Sequence, residues 1–228
     1  MTDISGILQQ VSVMALPVLF AITLHEAAHG FAAWALGDDT ARRMGRVSLN
    51  PLRHIDPFGT VVLPAMLMVM GGFMFGWAKP VPVNFGRLRS PRWGMVAVAA
   101  AGPLANILMA TIAILLMRYV GVLPRMAVDW ARLNLVYAIN INLLLAVFNM
   151  LPIPPLDGGR VLVGILPRRL AAPLARLEGA GMVILLLALV LLPMLSRDFG
   201  LPLDPFEWVI QPAISVLLET LVSLFGDF

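Results

Sequence analysis

The chain of 228 residues has no cysteine, only three histidines, and charge on just 13% of its positions. Without cysteine there is no disulfide and no thiolate ligand, so any metal site must be built from imidazole and carboxylate. The shortage of charge is the stronger constraint. A soluble domain carries about 25% charged and roughly 45–50% apolar residues, whereas here 60% are hydrophobic and the mean hydropathy is +0.89. One soluble core cannot hide that much apolar surface, so the composition reads as a polytopic protein whose solvent is the lipid bilayer. A net charge of +3 and a pI near 10.2 do not imply a nucleic-acid partner. The cations lie in loops between apolar runs, where they set orientation in a membrane. The opening MTDISGILQQ has no Lys or Arg and so lacks the n-region of a secretory signal; the first apolar segment is expected to be retained.

A helix needs about 20 apolar residues to cross the hydrocarbon. Six runs qualify, at 4–37, 57–78, 93–117, 133–156, 179–196 and 208–226, and no soluble domain is expected beside them. The cations test the second run. If 57–78 crosses fully, the 16 Lys and Arg divide 8 against 8 between the two sides. If it dips in and returns, Lys79, Arg87, Arg89, Arg92, Arg160, Arg168, Arg169 and Arg176 join Arg42, Arg43, Arg46 and Arg53, and the division becomes 12 against 4. Positive charge collects on the cytoplasmic side, so a re-entrant segment is expected, broken at Gly71, Gly72 and Gly76. The N-terminus is then outside and the C-terminus cytoplasmic.

The expected fold is an all-α integral membrane protein of about five full transmembrane helices plus a re-entrant segment with a small β-strand or hairpin element. Its parts are 1–37, 38–92, 93–118, 131–166, 176–196 and 206–226 within one membrane-embedded domain, 1–228.

The chemistry gathers at His25-Glu26-Ala27-Ala28-His29, inside the first run. On a helix, residues i and i+4 are about 40° apart, so both imidazoles project from one face. That spacing suits two ligands of one Zn²⁺, with Glu26 beside the open coordination position. HExxH also arises by chance, but ionisable groups inside a membrane span are costly and mark function. A hydrolytic zinc wants a third protein ligand. His54 is one option, though a lone loop histidine is more often only hydrogen-bonded to its neighbours. Asp157 in LPIPPLDGGR is the other. Pro152, Pro154 and Pro155 end the preceding helix, Gly158 and Gly159 permit close approach, and a new helix N-terminus would favour the ionised carboxylate. Asp157 as a plain N-cap is the competing reading.

HEAAHG and the later FNMLPIPPLDGGR resemble the motifs of the site-2 protease family, peptidase family M50, of intramembrane zinc metalloproteases. AAGPLAN, with Gly102, Pro103 and Asn106, resembles that family's glycine-and-asparagine signature. NPLRHIDPFGT and FGWAKPVPVN resemble its compact bacterial subgroup without PDZ or CBS domains. The resemblance covers most of the chain. It implies one Zn²⁺ per chain held by His25, His29 and Asp157, with Glu26 as the catalytic carboxylate. It further implies transmembrane protein substrates and a bacterial inner membrane location. Asn106 is a candidate donor to the oxyanion, against a helix–helix hydrogen bond as the plainer role.

Two further expectations concern access. Asn142 and Asn149, among the four asparagines at 134, 140, 142 and 149, share a face and would line a wet inner surface or serve packing. RVSLN at 46–50 and KPVPVN at 79–84 read as extended pieces, the latter an edge because Pro82 cannot sit in a central strand. Such an edge could take an unwound substrate by strand addition. A transporter or metal-ion channel using the same cluster, and an inactive membrane scaffold, are the competing functions. The intact Glu26 disfavours both.

Overall fold

The computed structural model describes residues 4–62, 66, 78–187, 192, 204 and 206–226. Its helices are α1 (Ile4–Ala35), the single turn α2 (Thr40–Arg43), α3 (Pro91–Met117), α4 (Arg125–Asn149), α5 (Asp157–Ile165), α6 (Arg168–Arg176), α7 (Glu178–Leu186) and α8 (Gln211–Phe225), the last continuing a π-helical turn at Phe206–Ile210. Four stretches are long and apolar enough to cross a membrane: Ser12–Ala35, Pro91–Met117, Arg125–Asn149 and Phe206–Phe225.

The helix boundaries follow from local chemistry. α1 stops at a glycine with φ +112°, Gly37. Gly37 N–H donates to Trp34 C=O and Asp38 N–H to Ala33 C=O, which satisfies terminal carbonyls as a left-handed C-cap does. α3 begins on Pro91, whose missing N–H costs nothing in a first turn. α4 ends at Asn149 because Pro152, Pro154 and Pro155 follow and cannot continue it. α1, α3 and α4 pack on one another, and α5 lies against α3. Ala110, Ala113 and Ile114 of α3 meet Ile139 and Leu143 of α4, and Ile214 and Leu221 of α8 extend that core. Small residues on α3 let the helices approach closely where lipid supplies no hydrophobic drive.

Two expectations need correction. Four spanning helices are found among the described residues, not five. The 179–196 run begins in α7, and most of its remainder lies outside the described residues. The part at 131–166 holds the end of α4, which begins at Arg125, and α5, which begins at Asp157. No strand or hairpin forms among the described residues. The 79–84 segment is extended, but its donors go elsewhere: Lys79 N–H to His54 C=O, Val81 N–H to Glu26 Oε2 and Asn84 N–H to Asp38 Oδ2. Pro80 and Pro82 have no N–H to give. Of the re-entrant run, Pro57–Val62 is a π-helical turn, and Gly71, Gly72 and Gly76 fall outside the described residues.

That extended segment, here the strap, is tied to the end of α1 by Asp38. Its fully buried carboxylate accepts Thr40 N–H and Thr40 Oγ1–H on one oxygen and Asn84 N–H on the other. Burial pushes the Asp38 carboxyl up, but the Thr40 hydroxyl, the Asn84 and Thr40 amides and the nearby Arg87 together hold it below its ordinary value. A carboxyl lowered by folding stabilises the fold above its unfolded value near 3.9, and that stabilisation fades as pH falls through the lower folded value. Asp38→Ala should therefore cost about 2 kcal/mol near neutral pH by orphaning these donors. Thermal unfolding of the solubilised protein as pH is lowered from 7 checks this; the gap between variant and wild type should narrow toward the acid end.

Candidate metal centre

His25 and His29 stand one turn apart on α1, both buried, their rings edge to face with centroids 4.7 Å apart. Asp157 reaches them from the first turn of α5. His25 Nε2 and His29 Nε2 are 3.1 Å apart, and Asp157 Oδ2 lies 3.2 Å from the first and 3.3 Å from the second. The three atoms form a nearly equilateral triangle. Among the His, Asp and Glu side chains described, these three form the cluster able to hold a metal. His54 is not part of it. It is 1% exposed, its Nε2 bonds Ser48 C=O at 2.8 Å, and its own C=O accepts Lys79 N–H, so it pins the loop before the re-entrant run to the strap.

The hydrogen bonds behind the triangle decide what it can hold. His29 Nδ1 faces Val98 C=O at 2.7 Å and His25 Nδ1 faces Asn106 Oδ1 at 2.5 Å. A carbonyl oxygen only accepts, so both rings carry their proton on Nδ1 and present a bare lone pair at Nε2. Asp157 Oδ2 is buried with no hydrogen-bond donor among the described residues. Three acceptors thus converge in a space without a donor, which repels unless a cation sits among them. Ligand atoms of a tetrahedral zinc with bonds of 2.0–2.1 Å stand about 3.3 Å apart. The donor set and its spacing fit zinc.

Asn106 is fully buried, and its amide nitrogen donates to Asn142 Oδ1 at 2.7 Å and Ala21 C=O at 3.3 Å. Both amide hydrogens are therefore engaged, and its oxygen holds His25. Asn142 is buried beside it, donating to Ala138 C=O, while Asn149 is half-buried and donates to Leu145 C=O. A cleft of about 210 Å³ between α1, α3 and α4, lined by residues including Phe20 and Met109, reaches Asn142. Gly102 packs directly beneath both imidazoles. A methyl group there would lie 2.7 Å from His25 Nε2 and closer still to His29 Nε2.

The placement of Asp157 is equally specific. The proline loop folds back over the first turn of α5 so tightly that a side chain at Gly158 would strike Met150 C=O, and one at Gly159 the Ile153–Pro154 backbone. At the other end of α5, the Arg92 guanidinium from α3 caps the carbonyls of Gly164, Ile165 and Leu166. Glu26 projects beside the triangle, half-buried, with Oε2 accepting Val81 N–H at 2.8 Å. Sequence reasoning missed the Val98 carbonyl, the Asn106–Asn142 pair and this Val81 amide. The first and last are backbone atoms that any residue could supply.

A family of membrane-bound metallohydrolases is what the fold and site together define. The chain belongs to peptidase family M50, whose model matches residues 119–192, a stretch that contains Asp157. It is 34% identical over 212 residues to YwhC of Bacillus subtilis (strain 168), covering 88% of this chain and 94% of that one. It is 32% identical over 182 residues to Rip2 of Mycolicibacterium smegmatis, covering 79% of this chain and 67% of that one. Both relatives carry zinc-metalloprotease names. No solved structure matches the chain significantly. The protein is a membrane zinc metalloprotease.

Proposed function

We propose that this protease hydrolyses peptide bonds within transmembrane segments of other membrane proteins, near the cytoplasmic face of a bacterial inner membrane. The observation that carries the reading is the triangle of His25, His29 and Asp157, whose two histidines stand on a span-length apolar helix. The 12 to 4 division of cations supports a cytoplasmic location for the loops at 38–56 and 78–92. One zinc held by the three residues would acidify a water to a pKa near 7 and polarise the scissile carbonyl.

The chain's own groups do the rest. Asn106 and the Val98 carbonyl hold the imidazoles in the tautomer that leaves Nε2 free to ligate, which sets affinity as well as orientation. Glu26 takes the proton of the attacking water as its oxygen adds to the carbonyl carbon. It then delivers that proton to the amine as the C–N bond breaks. The Val81 N–H fixes Oε2 of Glu26, leaving Oε1 to carry the proton.

Purified zinc-loaded protein mixed with a single-span model peptide tests this. Cleavage is expected, stopped by a chelator and restored by zinc. Asp157→Ala should lose both zinc and cleavage, while His54→Ala keeps zinc. A zinc-loaded wild type that leaves every single-span peptide intact, or an Asp157→Ala protein that retains its zinc, would overturn the reading.

A further inference from the structure

On the opposite face of the strap from Glu26 lies a groove of about 620 Å³, lined by Met44, Arg46, Leu52, Arg53, Lys79, Pro80 and Pro82 among others. The strap alternates: Val81 is buried against α1 at Gly30, while Pro80 and Pro82 on either side of it face the groove. One strip of backbone thus forms the groove floor and, through the Val81 N–H, holds the proposed catalytic carboxylate.

The groove's chemistry is one-sided. Among the described residues, three cations line it and no acidic residue does. Neither Arg46 nor Lys79 has a carboxylate partner among the described residues, and Arg53 spends one N–H on Gly45 C=O. Beside the cations stand exposed apolar side chains, Leu52 at 76% and Met44 at 63%. A ligand suited to this lining has an apolar stretch running into negative charge. A transmembrane segment followed by an acidic flank has that pattern.

We propose that the groove is an exosite for an acidic cytoplasmic flank of the substrate. This deepens the function above and rests on it, since it takes the groove to be cytoplasmic and the ligand to be the chain being cut. Cytoplasmic flanks of membrane proteins are ordinarily rich in Lys and Arg. These cations repel such flanks, so most membrane proteins are turned away and the minority with Asp or Glu at that position is retained. Repulsion of the common competitor is an economical route to specificity.

The test uses three peptides with one apolar span and cytoplasmic flanks that are acidic (EDE), neutral (SGS) or basic (KRK). Their binding is measured on zinc-loaded protein in phosphatidylcholine nanodiscs, and cleavage in parallel. The acidic flank should bind about tenfold tighter than the neutral one, and the basic flank weaker. The preference should shrink between 0.05 and 0.5 M salt. R46Q/K79Q should bring the acidic-to-neutral ratio near one, and R46E/K79E should invert it in favour of the basic flank, an inversion that misfolding cannot produce. R168Q/R169Q, which removes equal charge from α6, should leave the ratio unchanged. Equal binding of all three flanks would overturn the exosite, as would affinity that follows added phosphatidylglycerol instead of the flank, the mark of a lipid headgroup site. Flank-dependent binding without cleavage of any peptide would count against the protease reading and leave the exosite standing.

Discussion

Glu26→Gln should lower kcat on a single-span peptide by about 10³-fold, within the 10²–10⁴ range of a lost general acid–base, with KM and zinc content nearly unchanged. The reason lies in what the carboxamide keeps. Glu26 is not one of the three converging atoms, so the metal ligands stay whole. Its amide oxygen can still accept the Val81 N–H that now reaches Oε2, so the strap keeps its anchor. What is lost is the ability to take a proton at neutral pH. Single-turnover cleavage together with metal analysis separates these effects. A Glu26→Gln protein that cuts as fast as wild type with zinc in both would remove Glu26 from the proton path.

Gly102→Ala is expected to be nearly as damaging by a wholly different route. The added methyl would meet both imidazoles, at 2.7 Å from His25 Nε2 and Cε1, inside the spacing that carbon ever tolerates. The rings sit on α1 and the methyl on α3, so relief requires the helices to part or the rings to turn off their Val98 and Asn106 partners. Turning them disperses the lone pairs. Zinc affinity should fall by at least about 100-fold, the upper range for disturbing groups around a metal's ligands, and activity should fall with it. Gly121→Ala is the control, because nothing lies within 4 Å of a methyl group at that position. Competition with a metal-binding dye reads the affinity directly, and an unaltered value for Gly102→Ala would contradict the packing described.

Why some of this site is legible in the sequence and some is not follows from the range of the interactions. The two histidines needed only helical spacing, a local property, and α1 keeps them on one face as expected. Asp157 needed a proline-terminated helix and a glycine pair, again local, with the family resemblance choosing it over His54. Asn142 is the instructive case. All four asparagines of α4 do the same local thing, each donating its amide to the carbonyl one turn back, at Trp130, Val136, Ala138 and Leu145. Only Asn142 aims its oxygen at Asn106, and that depends on the register between α3 and α4, which no single-helix pattern contains. The 79–84 segment failed for a related reason. Its extended shape was readable from Pro80 and Pro82, but the destination of its amides was not, and donors spent on Glu26, His54 and Asp38 leave no ladder.

The division of the metal ligands between α1 and α5 has a consequence in time. More than half the chain lies between His29 and Asp157, and at 5–20 residues per second a ribosome needs on the order of ten seconds to cross it. Through that interval the nascent protein carries two of its three ligands and has no Asp157 to complete them. Even then Arg92 must reach the end of α5, and α3 must bring Val98 and Asn106 against the imidazoles. A membrane protease is inserted among other membrane proteins, its own helices included. Its metal centre is complete only once α5 packs on α3, so α1, α3 and α4 have all been made before the three ligands can meet.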